Sequence, residues 1–356
     1  MESVDVRRPD AAFWRGRRVL LTGHTGFKGG WTALWLHRMG AEVAGLALAP
    51  DTDPNFYTLA RIHEIASDRF GDIRDSSFVA DAIAKARPQI VLHMAAQPLV
   101  RRSVRAPVET FDINVMGAAR LFDALRGLKG LEAILAITTD KVYENPERGS
   151  PFRESDPLGG HDPYSASKAA VEIVAASYAQ TFFDEQRIPL ATARGGNVIG
   201  GGDFSEDRIV PDIFRAHALG TPLTLRNPSA TRPWQHVLDC LCGYLIYAEA
   251  LAKGENPPRA LNFGPQPGAD MPVSALVGAM QNAFGMTAGW RHAEGPQPRE
   301  MQLLALDTSA ARACLGFADR LVGAAAIAET ARWYLDFMRG CDMREASARA
   351  IADYMA

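Results

Sequence analysis

Arg17-Arg-Val-Leu-Leu-Thr22, followed at once by Gly23-His-Thr-Gly26-Phe-Lys-Gly29, is the stretch that decides the fold. Its first half reads as a short apolar strand. A helix carrying Trp31, Leu34 and Trp35 then runs to Gly40, whose missing Cβ suits a helix end. Strand, glycine turn and helix in this order make the first βα unit of a dinucleotide fold: the glycines let the backbone approach a pyrophosphate, and the helix N-terminus receives its charge. The spacing is G-x-x-G-x-x-G rather than G-x-G-x-x-G. A glycine turn alone is usually only a turn, and the flanking strand and helix give this one its meaning.

Working outward, the second strand, Glu42 to Leu48, runs into Ala49-Pro50-Asp51, with no arginine to welcome a ribose phosphate, so the reading leans to NAD. Asp72, in Phe70-Gly-Asp72-Ile73-Arg-Asp75, either accepts from an adenine amino group or caps the helix of Phe78 to Ala86, a place Asp75 or Ser76 fills equally well. Pro88 to His93 is the next strand, and the small residues Ala95 and Ala96 that follow let a cofactor lie against it. Helix Val108 to Leu125 carries Asn114, which either faces water or holds backbone in place. Leu131 to Ile137 is the fifth strand, and it delivers Thr138, Thr139, Asp140 and Lys141 to the carboxyl edge, where ligands bind in open α/β folds. The alternation up to Gln180 predicts an α/β fold with a doubly wound, Rossmann-type parallel sheet.

Beyond Arg194 the texture changes. Gly195-Gly-Asn197-Val-Ile-Gly-Gly-Gly-Asp203 is too glycine-rich for a central strand and is expected to be a mobile loop across the mouth of the site. Arg208, Arg226 and Arg232 stand in proline-punctuated segments, either as plain surface arginines or as a clamp on a diphosphate. Helices Val237 to Ala250, Val273 to Phe284 and Ala324 to Met338 alternate with short strands at Leu261 to Phe263 and Leu303 to Leu306, the pattern of a smaller mixed α/β cap. The expected division is a dinucleotide domain over 13–194, a mainly substrate-binding cap over 195–340 with some segments returning to the first domain, and a tail helix over 341–356. A cleft is expected between the two large parts.

Tyr164 and Lys168 lie four apart on a helix that starts at Pro163, so both side chains share one face. A cation within reach of a phenol favours the phenolate and brings a tyrosine towards the range of a general base.

With 356 residues, 47% of them hydrophobic, the chain is long enough for a large buried core. Its 38 basic and 41 acidic residues leave a formal charge of −3, so no global field favours nucleic acid or an anionic membrane. Cys240, Cys242, Cys314 and Cys341 show neither a metal or redox C-x-x-C nor a disulfide framework. Together with charged first residues and no apolar run long enough for a bilayer, this predicts a cytoplasmic protein without a metal.

Thr22 to Gly29, Thr139-Asp-Lys-Val-Tyr143, Gly159 to Lys168, Gly196 to Asp203 and Arg232-Pro-Trp-Gln-His236 are long runs. Through them the chain, from about Phe13 to Trp333, resembles the extended short-chain dehydrogenase/reductase superfamily and, within it, the nucleotide-sugar 4,6-dehydratases. The resemblance implies a lyase with an internal redox cycle, NAD as cofactor, a nucleotide sugar (CDP-glucose) as substrate, and a homodimer. It implies that Tyr164 takes the proton of the sugar 4-hydroxyl, Thr139 bonds the 4-oxygen and Asp140 protonates the departing 6-hydroxyl. Lys141 takes the C5 proton as a neutral amine or stabilises the enolate as a cation. Gly23, Thr25, Gly26, Phe27, Lys28 and Gly29 would meet the cofactor's phosphates, Asp72 and Ile73 its adenine, Ala95 and Ala96 its ribose, and Tyr164 and Lys168 the nicotinamide ribose. Gln97, Asn197, Arg208, Arg226, Arg232 and His236 would hold the nucleotide sugar. A nucleotide-sugar 4-epimerase or dehydrogenase would need only Tyr164 and Lys168, and a non-catalytic dinucleotide sensor usually lacks that pair.

Overall fold

The computed structural model describes residues 6–146, 149–266, 270–286, 289–294 and 304–356. Its strands, in chain order, are β1 Arg18–Thr22, β2 Glu42–Ala47, β3 Ser67–Phe70, β4 Ile90–His93, β5 Ala133–Thr139, β6 Leu190–Gly195, β7 Asn197–Ile199, β8 Leu223–Leu225, β9 Thr231–Arg232, β10 Trp234–His236, β11 Ala260–Phe263, β12 Met271–Pro272 and β13 Trp290–His292. Seven of them form one sheet in the order β11-β6-β5-β4-β1-β2-β3, with every neighbouring pair parallel. From β1 the chain winds outward through β2 and β3, then returns to β4 and winds the other way through β5, β6 and β11. The reversal opens a crevice at the carboxyl ends of β1 and β4.

Successive side chains of these strands enter opposite cores. Val19, Leu21, Ile90, Leu92, Leu135 and Ile137 pack on one face with Trp14, Trp31 and Trp35, while Leu20, Val91, Ile134 and Ala136 pack on the other with Val79, Ile83 and Phe122. Burial on both faces explains why the strands read as continuous apolar runs rather than as alternation.

Two sequence expectations change here. Strand Ala260–Phe263 is the edge of the main sheet, paired with β6, instead of one of the cap's short strands. Its apolar pair Leu261 and Phe263 is fully buried beside helix Val237–Ala252. Gly195–Asp203 is no mobile loop either: β7 pairs in parallel with β10, and the segment is buried from Val198 to Phe204. Trp31 Nε1 donates to Gly201 O at 2.9 Å and Tyr334 Oη to Asp203 O at 2.5 Å, so both flanks of the turn are held. The other short pairs are β9–β12, antiparallel, and β8–β13, parallel. Leu306 forms a bridge with Phe152, and Leu303 lies outside the described residues.

Helix Pro107–Ala124 passes through a π-turn at Asp112–Met116 that contains Asn114. The tail helix, Met343–Met355, is capped by Asp342, and its Tyr354 packs edge-on against Trp35.

Candidate active site

A cleft of about 2150 Å³ lies along the carboxyl ends of the sheet and reaches into the short-stranded part of the chain. Pockets for one drug-sized ligand run to roughly 1,000 Å³, so there is space for two such molecules together.

At its floor, Gly23 turns at φ +78°, and a Cβ there would stand 2.8 Å from the Ala95 nitrogen. Only glycine allows that approach of the β1 and β4 ends. The Thr22 hydroxyl accepts from Met94 N and Ala95 N, both at 3.1 Å, which directs its own proton to His93 Nδ1 at 2.7 Å. Burial pushes His93 down to about 3, so its ring is neutral and able to accept. Helix Phe27–Arg38 starts at Gly26, which offers no side-chain cap, and Gly26, Phe27, Lys28 and Gly29 line the cleft. Uncapped first-turn amides facing a cavity are an anion site. Thr25 Oγ1 ties the loop to Leu48 O at 2.9 Å. Asp72, Ile73, Ala95 and Ala96 also line the cleft. Asp75 caps helix Ser76–Ala86, which removes the capping alternative for Asp72. Asp72 is instead paired with Arg74 at 2.6 Å, a hydrogen bond that holds its carboxyl below the usual range. An open glycine cradle with free amides beside small strand-end residues fits a dinucleotide.

Helix Pro163–Tyr178 is capped by Asp162, which accepts from Ser165 N at 3.0 Å. It presents Tyr164 and Lys168 opposite the end of β5, where a 3-10 turn, Asp140–Val142, follows Thr139. Tyr164 and Thr139 line the cleft together. Thr139 Oγ1 donates to Asp140 Oδ1 at 3.0 Å, and Lys141 Nζ lies 3.5 Å from the same oxygen. Asp140 is only 1% exposed, and its Oδ2 has no hydrogen-bond partner.

Burial acts against the expected effect of lysine on the phenol. Burial pushes Tyr164 up to about 12 against the smaller pulls of Thr139 and Arg208. Burial and the charge of Lys28 bring Lys168 down to about 7, with Glu172 opposing them, and the Lys168 ammonium donates to Ile137 O at 2.9 Å. Desolvation is the largest effect on both groups. Asn114 takes the second of its two expected roles: its Oδ1 accepts from Gln97 N at 2.8 Å, and its Nδ2 donates to Gln97 O at 3.1 Å and Ser167 Oγ at 2.8 Å. It binds the turn after β4 to the helix of Tyr164.

On the far side, Gln97, Asn197, Arg208, Arg226 and Arg232 all line the cleft. Asn197 Nδ2 is buried without a partner, and Arg208 lies 3.7 Å from Asp203. His236 does not join them. It is 2% exposed, caps helix Val237–Ala252 by accepting from Leu238 N at 3.2 Å, and burial pushes it down to about 3.

Two groups escaped the sequence reading. Arg101 and Arg105, on helix Val100–Arg105, reach across the mouth to Asp207 at 2.7 Å and Glu206 at 3.1 Å. Three arginines within Arg101-Arg102-Ser-Val-Arg105 were the available signal. Beneath the floor, Glu172 accepts from Thr138 Oγ1 at 2.5 Å, Thr192 Oγ1 at 2.7 Å and Arg194 Nη2 at 2.8 Å. One buried carboxylate thus joins the helix of Tyr164 to the two strands behind it.

A doubly wound sheet, an uncapped glycine turn at its reversal point and a Tyr–Lys pair facing that turn define a dinucleotide-dependent enzyme of the Rossmann type. The chain belongs to the NAD dependent epimerase/dehydratase family, which it matches over residues 19–264. Over 353 residues it is 41% identical to the CDP-glucose 4,6-dehydratase of Salmonella typhimurium, covering 98% of both chains. It is 31% identical over 337 residues to the dTDP-glucose 4,6-dehydratase of Streptomyces antibioticus, covering 89% of this chain and 92% of that one. Among solved structures, the UDP-glucose 4-epimerase of Thermus thermophilus in complex with NAD matches with a TM-score of 0.78 at 26% identity, over 89% of this chain and 99% of that one. These matches bear out the resemblance carried by the motifs.

Proposed function

We propose that this chain is a hydro-lyase that converts CDP-glucose to CDP-4-keto-6-deoxyglucose and water, with NAD held in the cleft. The observation that carries the reading is the junction of two chemistries at the end of β5, where the hydrogen-bonded Thr139, Asp140 and Lys141 line the same cleft as Tyr164 and Lys168. An epimerase needs the Tyr–Lys pair alone. The CDP-glucose assignment is supported by the relative 41% identical over almost the whole length.

When bound, NAD would supply a reversible hydride acceptor for the oxidation at C4 and the reduction at C6. Tyr164 takes the 4-hydroxyl proton, and Thr139 steadies the 4-oxygen. Asp140 protonates the 6-hydroxyl as it leaves. Lys141, paired with Asp140, stabilises the enolate that forms when the C5 proton passes to water. The dinucleotide is held by Gly23, Thr25, Gly26, Phe27, Lys28, Gly29, Asp72, Ile73, Ala95 and Ala96, with Lys168 and Tyr164 at the nicotinamide ribose. Gln97, Asn197, Arg208, Arg226 and Arg232 hold the nucleotide sugar; His236 is left out on its burial.

CDP-glucose deuterated at C4 is expected to yield product deuterated at C6, and in heavy water one solvent deuteron is expected at C5. If NMR finds an epimer that keeps its 6-hydroxyl, or no 4-keto-6-deoxy sugar at all, the reading fails. Tyr164→Phe is expected to lower kcat about 10²- to 10⁴-fold.

The same reading includes a homodimer and a cytoplasmic setting. Val104, Val108, Phe111, Met116 and Ile173 are exposed on the helices around Asn114 and Lys168, with Val108 79% and Ile173 62% open. An apolar patch of this kind marks a contact surface. Light scattering should give twice the chain mass, and Val108→Asp with Ile173→Asp should halve it. The four free thiols suit a reducing compartment.

A further inference from the structure

The turn that carries Asp140 and Lys141 is tied at both ends to one buried ion pair. At its entry, Thr138 Oγ1 donates to Glu172 Oε1 at 2.5 Å. At its exit, Tyr143 Oη accepts from Arg194 Nη1 at 2.9 Å. Arg194 Nη2 donates to Glu172 Oε2 at 2.8 Å, and the two charged side chains are each 4% exposed. Thr138, Glu172, Arg194 and Tyr143 thus close a ring of side chains around the stretch 138–143. Tyr143 is fully buried, stacks on Phe152 at 5.0 Å, and donates its own proton to Asn262 Oδ1 on β11 at 2.6 Å. An ion pair so deep gains little net stability, because desolvating both charges cancels most of their attraction. Arg194 Nε is also buried without a partner, a further cost. What the pair does give is a fixed distance, since a guanidinium forks to two partners in one rigid plane.

We infer that Tyr143, Arg194 and Glu172 form a clasp that positions the Thr139–Lys141 turn for the loss of water, and that Tyr143 serves this step and not the oxidation at C4. The inference rests on the dehydratase reading and deepens it. Elimination breaks C5–H and C6–O6. The C5 electron pair becomes the C5=C6 bond, the C5 proton passes to solvent, and O6 leaves as water with the proton of Asp140, which a solvent proton then restores. Asp140 and Lys141 must therefore meet two neighbouring carbons at once, and a displacement of about 1 Å costs roughly 10²-fold.

The residues of the oxidation are anchored by other bonds. Tyr164 N donates to Ser103 Oγ at 3.1 Å, Asn114 Nδ2 to Ser167 Oγ at 2.8 Å, and the Lys168 ammonium to Ile137 O at 2.9 Å. Thr139 is the last residue of β5 and keeps its place by pairing with Gly195 on β6. None of these bonds passes through Tyr143. The main chain past the turn is paired as well, Gly159 N donating to Val142 O at 2.8 Å and Glu144 N to Pro157 O at 2.9 Å. Removing the Tyr143 hydroxyl thus leaves the path of the chain intact and frees the tie from the turn to the sheet.

Tyr143→Phe tests this, since it keeps the ring on Phe152 and removes both hydroxyl bonds. Rates are taken per NAD-loaded site, so that any unfolded fraction drops out. On CDP-6-deoxyglucose, which can be oxidised at C4 but has no 6-hydroxyl to lose, the rise in absorbance of reduced nicotinamide should keep its wild-type rate to within about twofold. On CDP-glucose kcat should fall about tenfold, reduced nicotinamide should build up during turnover, and deuterium at C5 should slow the variant more than deuterium at C4. Affinity for CDP, read by calorimetry, should not change. Arg194→Lys keeps the charge opposite Glu172 but has one nitrogen in place of the fork, and it should show the same split; it decides the matter if Tyr143→Phe yields no NAD-loaded protein. Oxidation and turnover lost in equal proportion would mean that the network only stabilises the fold, and a tenfold loss of CDP affinity would make Tyr143 a binding residue. Either result overturns the clasp, as does a variant with both rates at the wild-type value. Wild type that makes no 4-keto-6-deoxy product from CDP-glucose sinks the dehydratase reading itself, whereas product formed together with unsplit rates in Tyr143→Phe sinks only the clasp.

Discussion

Two glycine-rich turns border the same cleft and use glycine for opposite purposes. In Gly23–Gly29 the room at Gly23 and Gly29 is taken by backbone, but at Gly26 the absent side chain leaves room for something outside the chain: its missing Cβ has nothing closer than Gly23 O at 3.5 Å, and the turn faces the cavity. In Gly195–Gly202 the room is taken by the protein itself. A Cβ on Gly195 would meet Tyr244 Oη at 2.2 Å, on Gly201 the Trp333 ring at 2.0 Å, and on Gly202 the Phe56 ring at 2.4 Å. The first turn is a seat for a ligand. The second is a socket for aromatic side chains that lock the far wall to helix Phe27–Arg38. Glycine content announces a close approach and does not say what approaches.

The strongest challenge to this contrast is Gly23→Ala, since Gly23 shares both demands. At φ +78° an alanine costs about 1–2 kcal/mol, and its methyl would press on the Met94 and Ala95 backbone, which cannot rotate away. A total loss above about 3 kcal/mol is expected, together with loss of the rise in Tm that NAD gives. Normal stability with normal NAD binding would show that the seat is looser than the distances say.

Gly201→Ala sharpens the other side. Trp333 is pinned by Nε1 to Ser347 Oγ at 2.9 Å and stacked on Phe56 at 6.1 Å, so it has little freedom to yield. Overpacking of this kind costs roughly 1–3 kcal/mol. Denaturant unfolding should show that loss while the folded fraction still binds NAD with unchanged affinity. A tenfold weaker Kd with unchanged stability would invert the assignment of the two turns.

The same contrast shows what the sequence could and could not tell. Strands β1, β2, β4 and β5 were legible because apolar runs bounded by glycine and polar clusters leave little choice of element, and the glycine turn fixed the topology of the first unit. The edge strand Ala260–Phe263 was misplaced because a short strand with three apolar residues after a helix reads alike in a main sheet or a cap. Tyr164, Lys168 and the Thr139–Lys141 turn were legible from spacing and from their place at a strand end. The burial of the phenol was not, because burial is a property of everything packed around position 164 and spacing does not reveal it. His236 failed for a similar reason, since a histidine at a strand end reads the same whether it faces a cleft or caps the next helix. Glu172 stands four residues after Lys168 on the same helix, and only its partners Thr138, Thr192 and Arg194 on β5 and β6 reveal its place.

The smallest expected change in stability is the most discriminating. Gly26 begins helix Phe27–Arg38 without a side-chain cap, at φ −78° and ψ 169°, an extended conformation that any residue adopts. Serine at that position can accept from the first-turn amides and should stabilise the ligand-free protein by a few tenths of a kcal/mol, on the order of the serine-over-glycine preference at helix starts. Those amides are the ones a diphosphate needs, and the new side chain would stand where it lies. Gly26→Ser should therefore raise Tm slightly without NAD and lower it relative to wild type at saturating NAD, so that the two unfolding curves exchange order. A crossing of that kind follows only if the free helix end is the ligand's seat. Were serine to leave NAD affinity unchanged, the amides of this turn would have no part in holding the cofactor, and the first glycine turn would have to be read like the second, as a feature of packing.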